Sequence, residues 1–515
     1  MESKGLINRL RRPAIVLSGV LTVFCFPSFN LSSLAWVCFV PLLLTLPGLR
    51  GGQSFRWGFL AGTLVGLGTL YWIYPTCRWG GVPWPMAGLA WGGLSAYLGL
   101  YWGLFGWCVV FFSRAPLWQR PFWFAMSWVA LEWARSWFLG GFPWLTLACS
   151  QWQIPKHLAL AQLGGSYAVS FLVILFNGTL ATAILAWANK PVVRWAPVPG
   201  IAALIGLTAW SVWLWRRPAA LADNPWPMAI IQGNIDQYKK WDRSYVDEIM
   251  SVYSTLTRDA ALEKPRLIVW PETAVPGWIP NEPEPSQWVS DLARQSAVPL
   301  LVGAVTREQT GDYNAAFLIS EDGKWADRYR KVHLVPFGEF VPFRRILSPF
   351  IRVLNDLGTF DAGPSAHVLS TPGGRVGVTI CFEGLFPHLV RRFTRNGAQV
   401  LVNITNDGWY RDTAAPEQHF SATVLRAVEN GRWMVRAANT GYSGFISPRG
   451  EIVSRSLLMS PAVLYGAPVP LDRFTFYARA GDVFVYLCLI LLLFGGYNLL
   501  ESRCGVEQPG SSRGS

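Results

Sequence analysis

A carboxylate, an ammonium and a thiol stand at three points of this sequence where apolar, strand-like runs end. Glu272 follows LIVWP, Lys331 closes the return strand of a hairpin in RYRKVHLVPFGEF, and Cys381 ends GVTI. The stretch Arg375–Gly384 (RVGVTICFEG) alternates Val376, Val378 and Ile380 with smaller residues, the pattern of a short buried strand, and turns at Phe382–Gly384. A cysteine on such a turn is expected to face a pocket, and α/β folds place their sites at strand ends. Each of the three types has a task. A thiol is mostly protonated at neutral pH, a nearby carboxylate can take its proton, and a lysine favours the thiolate and then an oxyanion. The backbone N–H of Phe382 adds a second oxyanion donor. Together these groups fit acyl transfer through a thioester.

The elements that must position these residues lie after Arg217. Strands are expected at Pro227–Gly233, Arg266–Val269, Leu300–Val305 and 399–404, and in a hairpin over Ala315–Arg330 that turns at Asp322-Gly323. Helices are expected over Tyr245–Leu262, 286–297, 387–396 and 416–438, with a last hairpin around Pro448–Gly450. Strands alternating with helices indicate an α/β domain with covered sheet faces. Of the eight cysteines, Cys381 alone falls between Arg216 and Ala480, so a free thiol is expected there.

The first half has another character. Half of the 515 residues are apolar, only 15% are charged, and there are 28 Trp. Apolar stretches of spanning length occur at about 13–29, 32–48, 57–75, 86–112, 122–138, 159–188 and 196–215, with an eighth at 482–500. The basic start, with Lys4, Arg9, Arg11 and Arg12, leads straight into a second span and reads as a retained helix. Arg50 and Arg56, Arg114 and Arg120, and Lys190 and Arg194 fall in alternate loops, against Arg78 and Lys156 in the others. The positive-inside rule then makes both termini cytoplasmic and places 218–480 on the outer side. The expected division is a membrane domain 1–217, a catalytic domain 218–480, a last span 481–501 and a tail 502–515. The net charge of +13 follows this topology, so nucleic acid is not expected as a partner. Glu132 and Arg135, three apart on the fifth span, share a helix face and offer a cation near the outer surface. The loops Val341–Val353 and Leu385–Arg392 mix large apolar residues with arginines. They read as lids dipping into the outer leaflet, with Arg344 and Arg345 at phosphate level.

In the contexts WPE, a lysine before HLVPFGEF, and CFE, the Glu-Lys-Cys order resembles the nitrilase or carbon–nitrogen hydrolase superfamily. With seven-plus-one spans, the chain is similar to the bacterial apolipoprotein N-acyltransferases. LEWARSWFLGGFPW (131–144), QGNIDQYKKW (232–241), LVPFGEFVP (334–342) and NITNDGWY (403–410) carry the resemblance further. It implies an α-β-β-α sandwich on the periplasmic face of the inner membrane. It also implies acyl transfer from a phospholipid, usually phosphatidylethanolamine, to the α-amine of a diacylglyceryl-modified N-terminal cysteine on an apolipoprotein. By position it makes Glu272 the base, Lys331 the electrostatic partner and Cys381 the nucleophile, with Glu339 and Glu383 as supporting acids. Trp241, Arg135, Asn314 and Trp409 match positions that handle substrate. Phe382 departs from a common Tyr, which leaves its backbone N–H unaffected.

Other classes are weaker. His333, His367, His388 and His419 lack metal-ligand spacing and HExxH does not occur, so no metal or cofactor is expected. Gly441-Tyr442-Ser443-Gly444 is not a nucleophile elbow, because Phe445 takes the second glycine position. The alternatives are a membrane-tethered amidase, which would release free acid without an amine, and a transporter or scaffold, which sparse charge within the spans disfavours.

Overall fold

The computed structural model describes residues 2–188, 194–217, 224–341 and 359–504. The chain forms two compact units. One comprises residues 1–151, 164–213 and 482–515, and the other residues 152–163 and 214–481.

The first unit is helical. Among the described residues, four helices are long and apolar enough to cross a membrane: Trp84–Phe112, Ser166–Ala188, Val198–Arg216 and Val483–Glu501. Of the other expected spans, the first and third meet the helices Glu2–Phe24 and Gly51–Thr69, of 23 and 19 residues, and the rest are shorter or interrupted. The stretch 32–48 breaks into Ser32–Trp36, Val40–Thr45 and Leu46–Gly48, with Pro41 and Pro47 at the starts of the latter two. The fifth is the 16-residue helix Arg120–Arg135. The stretch expected at 159–188 becomes helical in one piece only from Ser166. Apolar length alone does not register these breaks, because Pro and Gly divide a run that hydropathy averages over. Helix Gly51–Thr69 packs on Trp84–Phe112 through Gly58, Gly62 and Gly66. A Cβ at Gly58 or Gly62 would collide with Trp102, and one at Gly66 would lie 2.7 Å from Ser95 Cα. Small residues every fourth position let helix backbones approach where lipid removes the hydrophobic drive.

The second unit holds two six-stranded sheets. In the first, β1 (Met228–Gln232), β2 (Leu267–Val269) and β3 (Leu300–Glu308) are parallel neighbours. The hairpin β4 (Gly311–Ile319) and β5 (Trp325–Arg330) extends it antiparallel beyond β3. The second sheet centres on parallel β7 (Gly374–Ile380), β8 (Val400–Thr405) and β9 (Met434–Ala438). Here β6 (Val368–Thr371) flanks β7, and β10 (Gly444–Ile446) with β11 (Ile452–Arg455) extends beyond β9, all antiparallel. A last strand, β12 (Ala462–Gly466), returns to pair antiparallel with β1. The sheets face each other through β1 on β9 and β4 on β7. Helices Val246–Leu262 and Pro283–Ser296 cover the first sheet over a core of Ile231, Trp270, Val289, Leu292 and Phe317. Helices Pro387–Arg395 and Ala415–Asn430 cover the second. The order is therefore helix, sheet, sheet, helix. The central strands are buried at every position, which is why they read as continuous apolar runs.

Two expectations are corrected. The helix expected over 416–438 stops at Asn430, where Gly431 takes a left-handed φ of 59°, and 434–438 is strand β9. The segment Leu385–Arg392 is not a lid. Leu385, Phe386, Leu389 and Val390 are buried, and Arg391 donates to the carbonyls of Tyr477 and Ala478. Its arginine-rich composition suggested a membrane surface, but the apolar face is spent on the second sheet. The other proposed lid falls largely on 342–358, so Arg344 and Arg345 lie outside the described residues.

Candidate active site

Two sheets deliver the site from the ends of their strands. Glu272 follows β2, Lys331 follows β5, Cys381 follows β7, and Asn406–Asp407 follow β8. Cys381 opens the short turn Cys381–Leu385 at a φ of 53°. That left-handed region is unusual for a non-glycine residue and turns the side chain sharply off the strand.

The charged residues converge around one ammonium. Lys331, 1% exposed, places Nζ 2.8 Å from Glu339 Oε1 and 3.4 Å from Glu272 Oε1. An ammonium has three donors, so a third remains after these two contacts. Asn314 Nδ2 on β4 bridges the carboxylates, donating to Glu272 at 2.7 Å and Glu339 at 2.9 Å. Glu272 Oε2 accepts the Asn406 N–H at 2.8 Å, and Glu339 Oε2 accepts the Val335 N–H at 2.8 Å. Every carboxylate oxygen here has a donor, as buried charge requires.

Electrostatics tie Cys381 to the same set. Burial and the Glu272 carboxylate push the thiol up, while Lys331 pulls it down, and the balance is upward. Burial alone would lower the Lys331 ammonium, but Glu339, Glu272 and Cys381 override it and raise it. At neutral pH the resting state is thus a neutral thiol beside a charged lysine. Cys381 is only 8% exposed, more enclosed than a cysteine on a turn was expected to be.

Glu383 has a different position from that of Glu339. Its Oε1 accepts from Tyr329 Oη (2.8 Å) and from the N–H groups of Val332 (2.7 Å) and His333 (2.9 Å), and Oε2 accepts the Ile380 N–H (2.8 Å). It ties the chain after Lys331 to the strand before Cys381. Burial pushes its carboxyl up to about 7, against the pull of those donors and of Lys331. Phe382 is buried, its ring edge-on to Phe386 at 5.1 Å.

The residues expected to handle substrate are dispersed. Asn314 lies within the carboxylate set, and its Oδ1 is buried with no partner among the described residues. Trp409 is exposed beside Asp407 in the turn Asp407–Trp409. Trp241 ends the turn Lys239–Trp241. Arg135 belongs to the helical unit, where it lines a cavity with Trp102, Trp128 and Trp144. Glu132 and Arg135 both serve one bend there. Glu132 Oε1 accepts the Leu147 N–H at 2.6 Å, and Arg135 Nη2 reaches the Leu145 carbonyl at 3.4 Å. Cys77 and Cys149 are not joined in a disulfide.

Sequence reading missed three contributors. Lys240 is buried and donates Nζ to the Glu272 carbonyl at 3.0 Å and Thr273 Oγ1 at 3.1 Å, bracing a turn in which Thr273 has a φ of 46°. Burial lowers its pKa to about 7. Asn406 supplies its backbone, which no side-chain pattern announces. His419 packs under the nucleophile turn, although its spacing pointed to no metal. Among the described residues no cluster of three or more His, Cys, Asp or Glu could hold a metal.

Known proteins resemble this chain over most of its length. Residues 228–472 match the family model described as carbon-nitrogen hydrolase, and residues 18–179 match that described as apolipoprotein N-acyltransferase N-terminal domain. The apolipoprotein N-acyltransferase of Geobacter metallireducens is 38% identical over 492 residues, covering 92% of each chain. That of Pseudomonas aeruginosa is 33% identical over 488 residues, covering 90% of each. The crystal structure of Saccharomyces cerevisiae Nit3, of branch 10 of the nitrilase superfamily, aligns with a TM-score of 0.38 and 21% identity over 47% of this chain and 90% of that one. Since the curated relatives match across both the helical and the α/β parts, the chain belongs to the apolipoprotein N-acyltransferase family.

Proposed function

We propose that this acyltransferase moves a fatty acyl chain from a phospholipid to the α-amine of a diacylglyceryl-cysteine at the N-terminus of an apolipoprotein, with Cys381 carrying the acyl group between them. The observation behind this reading is the Lys331 ammonium held between Glu272 and Glu339 in electrostatic contact with the buried Cys381 thiol. Glu272 takes the thiol proton as sulfur attacks the ester carbonyl. Lys331 and the Phe382 N–H face the oxyanion that forms. The glyceryl oxygen leaves with the proton from Glu272, and a thioester remains on Cys381. The incoming amine then attacks that thioester, gives its proton to Glu272, and expels the thiolate. Such a ping-pong course suits two lipid substrates that use one site in turn.

Glu339 fixes the lysine, and Glu383 fixes the turns on either side of the site. Asn314, through its unpartnered Oδ1, with Trp241, Trp409, Arg135, Arg344 and Arg345, forms the substrate-handling set in this reading. Phosphatidylethanolamine is the proposed donor. The helical unit is read as eight spans in the inner membrane, with cytoplasmic termini and the α/β unit outside. Incubation with phosphatidylethanolamine vesicles followed by intact mass measurement tests the chemistry. One acyl adduct is expected, absent from Cys381→Ala; an adduct that persists in that variant refutes the assignment.

A further inference from the structure

Beneath the proposed nucleophile lies a buried polar network that the chemistry above does not use. His419, on helix Ala415–Asn430, places Nε2 3.1 Å from the carbonyl oxygen of Cys381 and Nδ1 3.0 Å from Asp407 Oδ1. A carbonyl only accepts, so Nε2 carries a proton and donates it. Asn403 Nδ2 reaches the same carbonyl at 3.3 Å. Arg436 joins the two arms, donating to Asp407 Oδ2 at 2.9 Å and to Asn403 Oδ1. Asp407, Arg436, Asn403 and His419 are at most 1% exposed. Burial works against the Asp407 carboxylate, but Arg436 and His419 hold it at about 2, so it is charged at any working pH.

A trans peptide fixes its C=O and N–H in opposite directions. The carbonyl of Cys381 and the N–H of Phe382 belong to one peptide unit. Two side chains gripping that oxygen from below therefore aim the Phe382 N–H the other way. The grip falls on a residue whose φ of 53° would otherwise relax toward the ordinary regions.

We propose that His419, seated by Asp407, is a positioning residue that orients the Cys381–Phe382 peptide so that its N–H serves as the oxyanion donor. The inference rests on the reading of Cys381 as nucleophile and extends it to a residue that touches neither substrate nor sulfur. It separates two kinds of reaction at the same thiol. Acylation passes through a tetrahedral oxyanion and needs the aimed N–H. Alkylation by iodoacetamide forms a carbon–sulfur bond with loss of iodide, makes no oxyanion, and needs only the thiolate.

The full-length enzyme in detergent, with phosphatidylethanolamine vesicles as donor, gives both rates by intact mass. His419→Leu is expected to slow acylation by roughly 10- to 100-fold, somewhat less than outright loss of an oxyanion donor, while its alkylation rate stays close to wild type across pH. His419→Gln keeps an N–H near the carbonyl and is expected to recover part of the acylation rate. Asp407→Asn, which unseats the imidazole while nearly conserving volume, covers the case in which His419→Leu does not fold: acylation is expected to slow by a similar factor, while alkylation is not slowed, because loss of a carboxylate that raises the thiol moves its alkylation profile to lower pH. Unchanged acylation in both His419→Leu and Asp407→Asn overturns the inference, as does a parallel fall of acylation and alkylation, which marks a purely structural role. Cys381→Ala run alongside separates the two levels. If it still acquires an acyl group, the nucleophile assignment has failed, and the inference falls with it.

Discussion

Glu272 is asked to do two opposed things. As a base it must sit near the thiol, and as a charge it makes that thiol harder to ionise. Glu272→Gln should therefore lower the pH at which Cys381 alkylates with iodoacetamide, yet slow acylation by about 10²–10⁴-fold, the usual worth of a general base. A variant whose alkylation profile moved to higher pH would contradict this electrostatic account. Lys331→Met should shift the profile the other way, upward, because a cation that favours the thiolate is lost. Sequence made Glu272 and Cys381 legible because each ends an apolar run, whereas Lys331, in the basic run Arg328, Arg330 and Lys331, was singled out from its neighbours only by the family resemblance. Sequence could not show that Asn314 bridges Glu272 and Glu339, since that depends on β4 lying across from both turns.

At the scale of elements, Glu383 joins the end of β7 to the chain after β5 through four donors. Glu383→Gln should cost about 1–3 kcal/mol of stability, because its amide NH2 faces buried N–H donors and leaves at least one of them without an acceptor. The pH dependence has a definite sign. The folded-state carboxyl lies at about 7, above about 4.3 in an unfolded chain. The folded state thus holds the proton more tightly, and this contribution to stability is full below about pH 4.3 and lost as pH rises through about 7. The difference between wild-type and Glu383→Gln melting curves should accordingly shrink from pH 4 to pH 8, and widening would count against it. In the helical unit, Gly62 lies where an added Cβ collides with Trp102, whereas Gly92 has open space. Gly62→Ala should lower thermal stability in detergent by several degrees, and Gly92→Ala should leave it nearly unchanged. Equal effects would remove the close-approach account of that helix pair.

The whole molecule carries more apolar surface than water tolerates. Helices Val198–Arg216 and Val483–Glu501 bury only 17% of their most apolar windows within the protein, and exposed Trp187, Trp195, Ile205 and Leu493 need lipid around them. The proposed orientation is testable in whole cells with a permeable outer membrane. Lys324→Cys, at an exposed hairpin turn of the α/β unit, should react with a maleimide that cannot cross the inner membrane. Labelling only after lysis would reverse the topology.

By itself the sequence determined the chemistry on offer and the period of each element. Alternation and apolar length come from local contacts with solvent or core, so β2, β7, β8 and the four long apolar helices could be read directly, as could the Asp322-Gly323 turn. The edge strands β6 and β12, the end of helix Ala415–Asn430 and the burial of Leu385–Arg392 could not, because partners distant in sequence decide them. The same holds for the site. Residue types and strand ends pointed to Glu272, Lys331 and Cys381, but only the folded chain decided which carboxylate holds the lysine, which ties the turns, and that His419 grips the Cys381 carbonyl. Those are facts of distance between segments from two different sheets, and distance in space is the one quantity that a linear order does not encode.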